Sequence, residues 1–109
     1  MLYRIARRLD NTQLEVASNG RAGRLLALSR SPNLILLDSH LPDCDAHDLM
    51  TYFGRAALRA TVPLAVVSAE ENDRVKFIRG GAVSFLTKPL RIAEVERSVM
   101  TLLEVFSAR

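Results

Sequence analysis

Two short aliphatic runs constrain the fold of this chain more than any other feature. They occupy residues 34–37 and 64–67, and prolines at positions 32, 42 and 63 lie beside them. Neither run alternates apolar with polar residues, so each would be buried on both faces if it formed a strand. Strands of that kind occur in parallel sheets that are covered by helices. The pattern therefore predicts an α/β fold built around a parallel sheet.

Amphipathic helical segments alternate with strands along the chain, because apolar residues recur there at intervals of three and four. We predict helices over residues 2–10, 21–29, 46–59, 70–79 and 92–106, and strands over residues 13–17, 34–37, 63–67 and 83–87. The predicted fold class is a doubly wound, flavodoxin-like parallel sheet of about four strands and five helices, with helices on both faces. A chain of 109 residues is long enough for one such domain.

Composition and charge argue against several classes of protein. The net charge is +3, but the arginines of the first 30 residues are spread over two predicted helices and a loop, so we do not expect nucleic-acid binding. The apolar runs are far shorter than the roughly 20 residues of a membrane span, and no secretory signal precedes them. We therefore expect a cytoplasmic protein. Cys44 is the only cysteine, which rules out an intrachain disulfide.

Polar side chains that suit phosphate chemistry follow three of the predicted strands. Asp38 follows the second strand, Ser68 follows the third, and Lys88 follows the last. In a doubly wound sheet, functional groups collect at the carboxyl ends of the strands. A carboxylate can attack phosphorus, while a hydroxyl and an ammonium group can hold anionic oxygens. Each residue alone is a weak signal, but the three together predict a site that handles a phosphoryl group.

An enzyme or a nucleotide binder of similar fold is the alternative from another class. No G-x-G-x-x-G and no G-x-x-x-x-G-K-[ST] motif follows any strand, although such motifs are the usual cradles for phosphates. Neither Ser68 nor Cys44 has a recognisable His partner for nucleophilic catalysis. We therefore predict that the chain is not an enzyme.

Three segments resemble the motifs of response-regulator receiver domains of two-component systems. They read P-N-L-I-L-L-D-S-H-L-P-D-C-D around Asp38, V-P-L-A-V-V-S-A around Ser68, and G-A-V-S-F-L-T-K-P around Lys88. The three motifs follow one another in the order that the family shows and at similar separations along the sequence. The resemblance extends over nearly the whole chain. It implies a signalling module whose partners are a histidine kinase, a phosphotransfer protein or an output protein.

The resemblance also implies individual roles. Asp38 would be the phosphoacceptor, while Ser68 and Lys88 would contact the phosphoryl group. Phe85 matches the aromatic residue whose rotamer reports activation, with a plain core aromatic as the alternative. The remaining implied residues are Pro89, which would follow a cis peptide bond, and His40 and Glu70, which would line the site.

The chain departs from the family pattern at its beginning. Family members start with a strand that ends in acidic residues, and these carboxylates bind magnesium together with the phosphoacceptor. Here the sequence begins within the first predicted helix, so we expect residues 1–109 to form an N-terminally truncated receiver-like domain. Asp10 and Glu15 are not placed to substitute, so Asp38 would be part of an incomplete metal site. We expect no tightly bound cofactor, weak or absent magnesium binding, and slow or absent phosphorylation.

Two further expectations follow. Ala46 replaces the usual glycine after the acidic loop and could alter that turn. A sheet without its central strand would expose strand edges, so we expect a homodimer, with or without exchanged elements. The open alternative is a functional phosphoacceptor whose metal site is completed by a partner or by native sequence that this chain lacks.

Overall fold

A computed structural model describes residues 17–30, 32–55 and 62–107 of the chain. Its helices are α1 (Gly20–Arg30), α2 (Ala46–Arg55), α3 (Arg74–Arg79) and α4 (Ile92–Ser107), with a 3₁₀ turn at Glu71–Asp73 before α3. Its strands are β1 (Ile35–Asp38), β2 (Leu64–Ser68) and β3 (Ser84–Thr87). The described elements therefore follow the predicted alternation of helices and strands.

The three described strands form one parallel sheet in the order β1-β2-β3. Every residue of the middle strand β2 is buried, as its unbroken aliphatic run predicts. The register pairs Asp38 with Val67 and Ser68 with Thr87, so all three strands end at the same edge of the sheet.

Apolar side chains cover the sheet on two sides. On one side, buried residues of α1, α2 and α3 pack with Leu37, Leu64 and Val66 of the strands. On the other side, Val95 and Val99 of α4 form a separate cluster with neighbouring apolar residues. Alternate residues of β1 belong to different clusters, as expected of a strand buried on both faces. The predicted fold class, a doubly wound parallel sheet with helices on both faces, is confirmed.

The boundaries differ slightly from the predictions. The helix predicted over residues 70–79 is divided, because Glu70 has an extended backbone and α3 begins only at Arg74. It ends as predicted at Gly80 and Gly81, where Gly81 has a φ of 115°, a left-handed conformation that favours glycine.

The helix predicted at residues 2–10 and most of the strand predicted at 13–17 lie outside the described residues, as do positions 56–59 of the third predicted helix. Ala46 is buried and begins α2. Across the described residues, no helix is both long enough and apolar enough to cross a membrane.

Candidate functional site

The predicted site residues meet at the carboxyl edge of the sheet. Asp38 is the last residue of β1, Ser68 is the last of β2, and Lys88 directly follows β3. Backbone hydrogen bonds continue beyond the strands, from Ser39 N to Val67 O at 2.9 Å and from Lys88 N to Ser68 O at 2.8 Å. The parallel register therefore brings together three side chains that are up to 50 positions apart in the sequence.

Asp38 and Lys88 form an ion pair, in which Lys88 Nζ donates to Asp38 Oδ2 at 2.9 Å. The other carboxylate oxygen, Oδ1, accepts the backbone N–H of His40 at 2.9 Å. The side chains of Lys88 and Asp38 are 36% and 43% exposed, so a phosphoryl donor can approach them from solvent. An ion pair this exposed contributes little to folding stability, and its value lies in the charge that it holds at the site.

Ser68 is fully buried, and its hydroxyl oxygen accepts two hydrogen bonds. Ser39 Oγ donates to it at 2.8 Å, and the backbone N–H of Glu70 donates to it at 3.0 Å. The sequence prediction did not include Ser39. Its position directly after Asp38 was the available signal, because the residue after a strand end lies beside the end of the neighbouring strand.

His40 and Glu70, which were predicted to line the site, both reach it through backbone N–H groups. His40 N contacts the Asp38 carboxylate, and Glu70 N contacts the Ser68 hydroxyl. Both residues are exposed. Their amides hold the two groups in place, a contribution that the side-chain types do not reveal.

Phe85 and Pro89 lie on either side of Lys88 in the sequence. Phe85 is 5% exposed and packs beside Phe77, with 6.2 Å between ring centroids. The Arg74 guanidinium lies over the Phe85 ring, 5.0 Å from its centroid. The peptide bond between Lys88 and Pro89 is cis.

The loop after Asp38 is tied to the beginning of α1. Asp43 accepts the backbone N–H groups of Gly20 at 2.7 Å and Arg21 at 3.0 Å, one on each carboxylate oxygen. These hydrogen bonds favour the charged carboxylate and lower the pKa of Asp43. Partial desolvation, together with the adjacent Asp43 charge, raises the pKa of the exposed Cys44 thiol, so Cys44 does not have the lowered pKa of a reactive cysteine.

Asp38 is the carboxylate that contacts Lys88 at this edge of the described sheet, so it is the first candidate ligand for magnesium. Within residues 17–30, 32–55 and 62–107, no three His, Cys, Asp or Glu side chains come together as a group that could hold a metal ion. Magnesium prefers near-octahedral oxygen ligands. The described residues therefore do not fit a complete magnesium site.

Comparison with known protein families identifies the family of this chain. The model of the response regulator receiver domain matches residues 1–100. The chain belongs to this family. The resemblance predicted from the three motifs is thereby confirmed, together with the family's place in two-component signalling.

Individual relatives agree with this assignment. The KDP operon transcriptional regulatory protein KdpE of Escherichia coli is 33% identical over 101 residues, which are 91% of this chain and 44% of that protein. This chain therefore matches less than half the length of that relative.

Two solved structures are also similar. A CheY-like response regulator receiver domain protein from Methanospirillum hungatei superposes with a TM-score of 0.85 at 20% identity, covering 97% of this chain and 84% of that one. The signal receiver domain of a signal transduction histidine kinase from Syntrophus aciditrophicus has a TM-score of 0.77 at 32% identity, covering 94% of this chain and 79% of that one.

Proposed function

We propose that this receiver domain works in a two-component or phosphorelay pathway mainly through contacts with other signalling proteins, and that phosphorylation of its Asp38 is impaired. The ion pair of 2.9 Å between Asp38 and Lys88, beside the buried Ser68 hydroxyl, supports Asp38 as the phosphoacceptor. The expected impairment is supported by the described residues, which bring no three metal-ligating side chains together. A half-exposed carboxylate flanked by an ammonium group and a hydroxyl is suited to receiving a phosphoryl group.

The chemical step would use these groups as follows. A carboxylate oxygen of Asp38 forms a bond to phosphorus while the bond between phosphorus and the donor's leaving group breaks, and the leaving group keeps the electron pair. The donor would be a phosphohistidine or an acyl phosphate. The Lys88 ammonium group then partly neutralises the negative charge of the aspartyl phosphate. Ser68 would donate a hydrogen bond from its hydroxyl to a phosphoryl oxygen.

The rate of this step is expected to be low because charge on a transferring phosphoryl group needs strong neutralisation. The described residues form no group of three His, Cys, Asp or Glu side chains that could hold a metal ion, so a divalent cation would bind there weakly. The alternative is that a partner, or sequence outside the described residues, completes the metal site. Phosphorylation would then be efficient at low magnesium concentration.

Labelling with acetyl phosphate distinguishes these possibilities. Wild type, Asp38→Ala and the control Asp48→Ala are incubated with acetyl phosphate over a magnesium series, and intact mass is measured. Asp48 is an exposed carboxylate in the first turn of α2. We expect a small mass increase of one phosphoryl group at high magnesium, lost only in Asp38→Ala.

Two outcomes would contradict the proposal. Complete labelling at low magnesium would favour the alternative of an efficient phosphoacceptor. Labelling that persists in Asp38→Ala would remove Asp38 from the chemistry altogether.

Partners follow from the same assignment. We propose that the receiver contacts a histidine kinase, a phosphotransfer protein or an output protein, and that it forms a homodimer. β1 and β3 are the outer strands of the described sheet, and unpaired strand edges favour pairing with another chain. Size-exclusion chromatography with light scattering should give the dimer mass, and a monomer mass at high micromolar concentration would contradict the homodimer.

A further inference from the structure

Ser39 brings a second hydroxyl group to the carboxyl edge of the sheet. It directly follows Asp38, and its backbone N–H donates to Val67 O at 2.9 Å, which extends the pairing of β1 with β2 by one residue. The Ser39 Oγ donates to Ser68 Oγ at 2.8 Å. Ser39 therefore contacts the Ser68 hydroxyl directly, beside the phosphoacceptor.

Two hydrogen bonds decide what the Ser68 hydroxyl can still do. A serine oxygen can accept two hydrogen bonds, and its proton can be donated once. Ser39 Oγ fills one acceptor position of Ser68, and the backbone N–H of Glu70 fills the other at 3.0 Å. The capacity that remains for a ligand is the Ser68 proton. Ser68 can therefore meet an incoming group only as a hydrogen-bond donor.

Burial explains why a protein group, and not solvent, has to fill this acceptor position. Ser68 is 0% exposed, whereas Ser39 is half-buried. Solvent can reach the Ser39 oxygen but does not reach the Ser68 oxygen. Because water does not compensate a buried hydroxyl for a lost partner, removal of the Ser39 hydroxyl would leave one acceptor position of Ser68 open.

An open acceptor position would change which ligands the site prefers. A phosphoryl oxygen is negatively charged and accepts hydrogen bonds, so it can use the Ser68 proton together with the Lys88 ammonium group. A magnesium ion instead needs the lone pairs of its oxygen ligands. While Ser39 and the Glu70 amide occupy those lone pairs, the Ser68 hydroxyl favours an anion over a cation.

We infer that Ser39 is a positioning residue, which by donating to Ser68 orients the Ser68 hydroxyl as a hydrogen-bond donor for a phosphoryl oxygen at Asp38. The inference rests on the proposed function where it concerns phosphoryl transfer. Its structural part, the effect of Ser39 on the Ser68 hydroxyl and on the contact of that hydroxyl with the Glu70 amide, needs no phosphoryl group. The two parts are tested separately.

Four variants carry the tests. Ser39→Ala removes the hydroxyl, while Ser39→Thr retains it and adds one methyl group at a half-buried position. Ser29→Ala is the matched control, because Ser29 Oγ also donates one hydrogen bond, to Leu26 O at 3.2 Å within α1. Ser39→Cys, whose thiol is a weaker donor than a hydroxyl, takes the place of Ser39→Ala if that variant does not fold.

Amide hydrogen exchange measured by NMR tests the structural part. A Ser68 hydroxyl that Ser39 no longer holds can rotate away from the Glu70 amide. We therefore expect the Glu70 amide to exchange about threefold or more faster in Ser39→Ala, and at the wild-type rate in Ser39→Thr and Ser29→Ala. The Val66 amide lies in the buried strand β2, so its exchange reports unfolding of the sheet.

Equal exchange of the Glu70 amide in wild type and in Ser39→Ala, with the Val66 amide unchanged, would overturn the inference. Faster exchange of both amides in Ser39→Ala identifies unfolding, and Ser39→Cys then decides the question on the same expectation.

Labelling kinetics test the phosphoryl part. The initial rate of Asp38 labelling is measured by intact mass against the concentrations of acetyl phosphate and of magnesium. We expect the maximal rate to fall about threefold or more in Ser39→Ala, because a donor aimed at phosphoryl oxygens acts mainly where charge develops in the transition state. The magnesium concentration for half-maximal labelling should stay equal or fall. Ser39→Thr should restore the maximal rate, and Ser29→Ala should keep it.

The magnesium dependence separates positioning from structural damage. A general loosening of the site would lower the rate and raise the magnesium requirement together. A wild-type maximal rate in Ser39→Ala, or a loss of rate that high magnesium fully reverses, would overturn the phosphoryl part.

Failure of the proposed function gives a different result. If wild type shows no labelling that depends on Asp38, the phosphoacceptor is wrong, and the phosphoryl part of the inference falls with it. Exchange of the Glu70 amide still decides whether Ser39 holds the Ser68 hydroxyl.

Discussion

The loops that follow β1 and β2 lie side by side at the same edge of the sheet, but they are held in different ways. In the loop after β1, the Asp43 carboxylate binds two amides of α1 and the Asp45 carboxylate binds the Asp48 amide of α2 at 3.0 Å. In the loop after β2, Asp73 precedes α3 but makes no capping hydrogen bond through its side chain.

This second loop is held by the Ser68 hydroxyl and by an exposed cluster in which Arg74 and Thr87 both donate to the Glu71 carboxylate. Hydrogen bonds that the amides at helix N-termini donate to carboxylates persist as long as the helices do, whereas a hydroxyl contact and a solvent-exposed ion pair are readily exchanged. The comparison indicates that Asp38 is followed by a fixed loop, while Ser68 is followed by one that can rearrange.

The largest expected effect tests how tightly the first loop packs on α1. A Cβ atom at Gly20 would lie 2.2 Å from Cys44 Sγ, so Gly20→Ala must displace the loop or turn the Cys44 side chain. We expect the free energy of unfolding in urea to fall by about 1–3 kcal/mol. Adding Cys44→Ala removes the obstructing sulfur and should restore most of the loss. A single Gly20→Ala variant as stable as wild type would show that this loop, too, rearranges at little cost.

A smaller effect on the free energy of unfolding should distinguish the start of α2, which Asp45 caps, from the start of α3, where Asp73 makes no capping hydrogen bond. Asp45→Ala leaves the Asp48 amide without its acceptor and should lower the free energy of unfolding by about 1 kcal/mol, the usual contribution of an N-cap. Asp73→Ala is the matched control, because Asp73 makes no such bond. We expect urea midpoints close to wild type for Asp73→Ala. Equal losses for the two variants would contradict the contrast between the loops.

The smallest expected effect concerns the stability in acid of the exposed cluster of Glu71, Arg74 and Thr87. Hydrogen bonds from Arg74 and then Thr87 lower the pKa of Glu71 from 4.5 to about 2. A carboxyl group with a lowered folded-state pKa stabilises the fold above its unfolded pKa, and that contribution is lost as the pH falls towards the folded value. Between pH 4.5 and 2, stability should therefore fall less steeply in Glu71→Gln than in wild type, by a margin limited by solvent screening. Identical slopes would show that this cluster does not form in solution.

Local patterns predicted those parts of the fold whose cause is local. The unbroken aliphatic run of β2 predicted a fully buried strand, and Gly80 with Gly81 predicted the end of α3. The start of α3 was wrongly placed at residue 70, because the extended backbone of Glu70 is set by a hydrogen bond to Ser68 and not by any helical preference.

The site residues that the sequence did not predict were missed for one physical reason. Ser39 and Glu71 are ordinary polar residues in the sequence, and their contacts with Ser68 and Thr87 arise only after the strands have paired. The side chain types of His40 and Glu70 were equally uninformative, since both residues contact the site through backbone amides.

The sequence by itself determined the receiver family, the doubly wound fold and the candidate trio of Asp38, Ser68 and Lys88, because strand periodicity and strand-end residues are properties of short segments. Only the tertiary structure decided which groups hold that trio and that Arg74 covers Phe85. Those contacts depend on register across a parallel sheet, where residues 11 to 50 positions apart come within hydrogen-bonding distance. Such distances are set by the packing of the whole domain, and no local pattern encodes them.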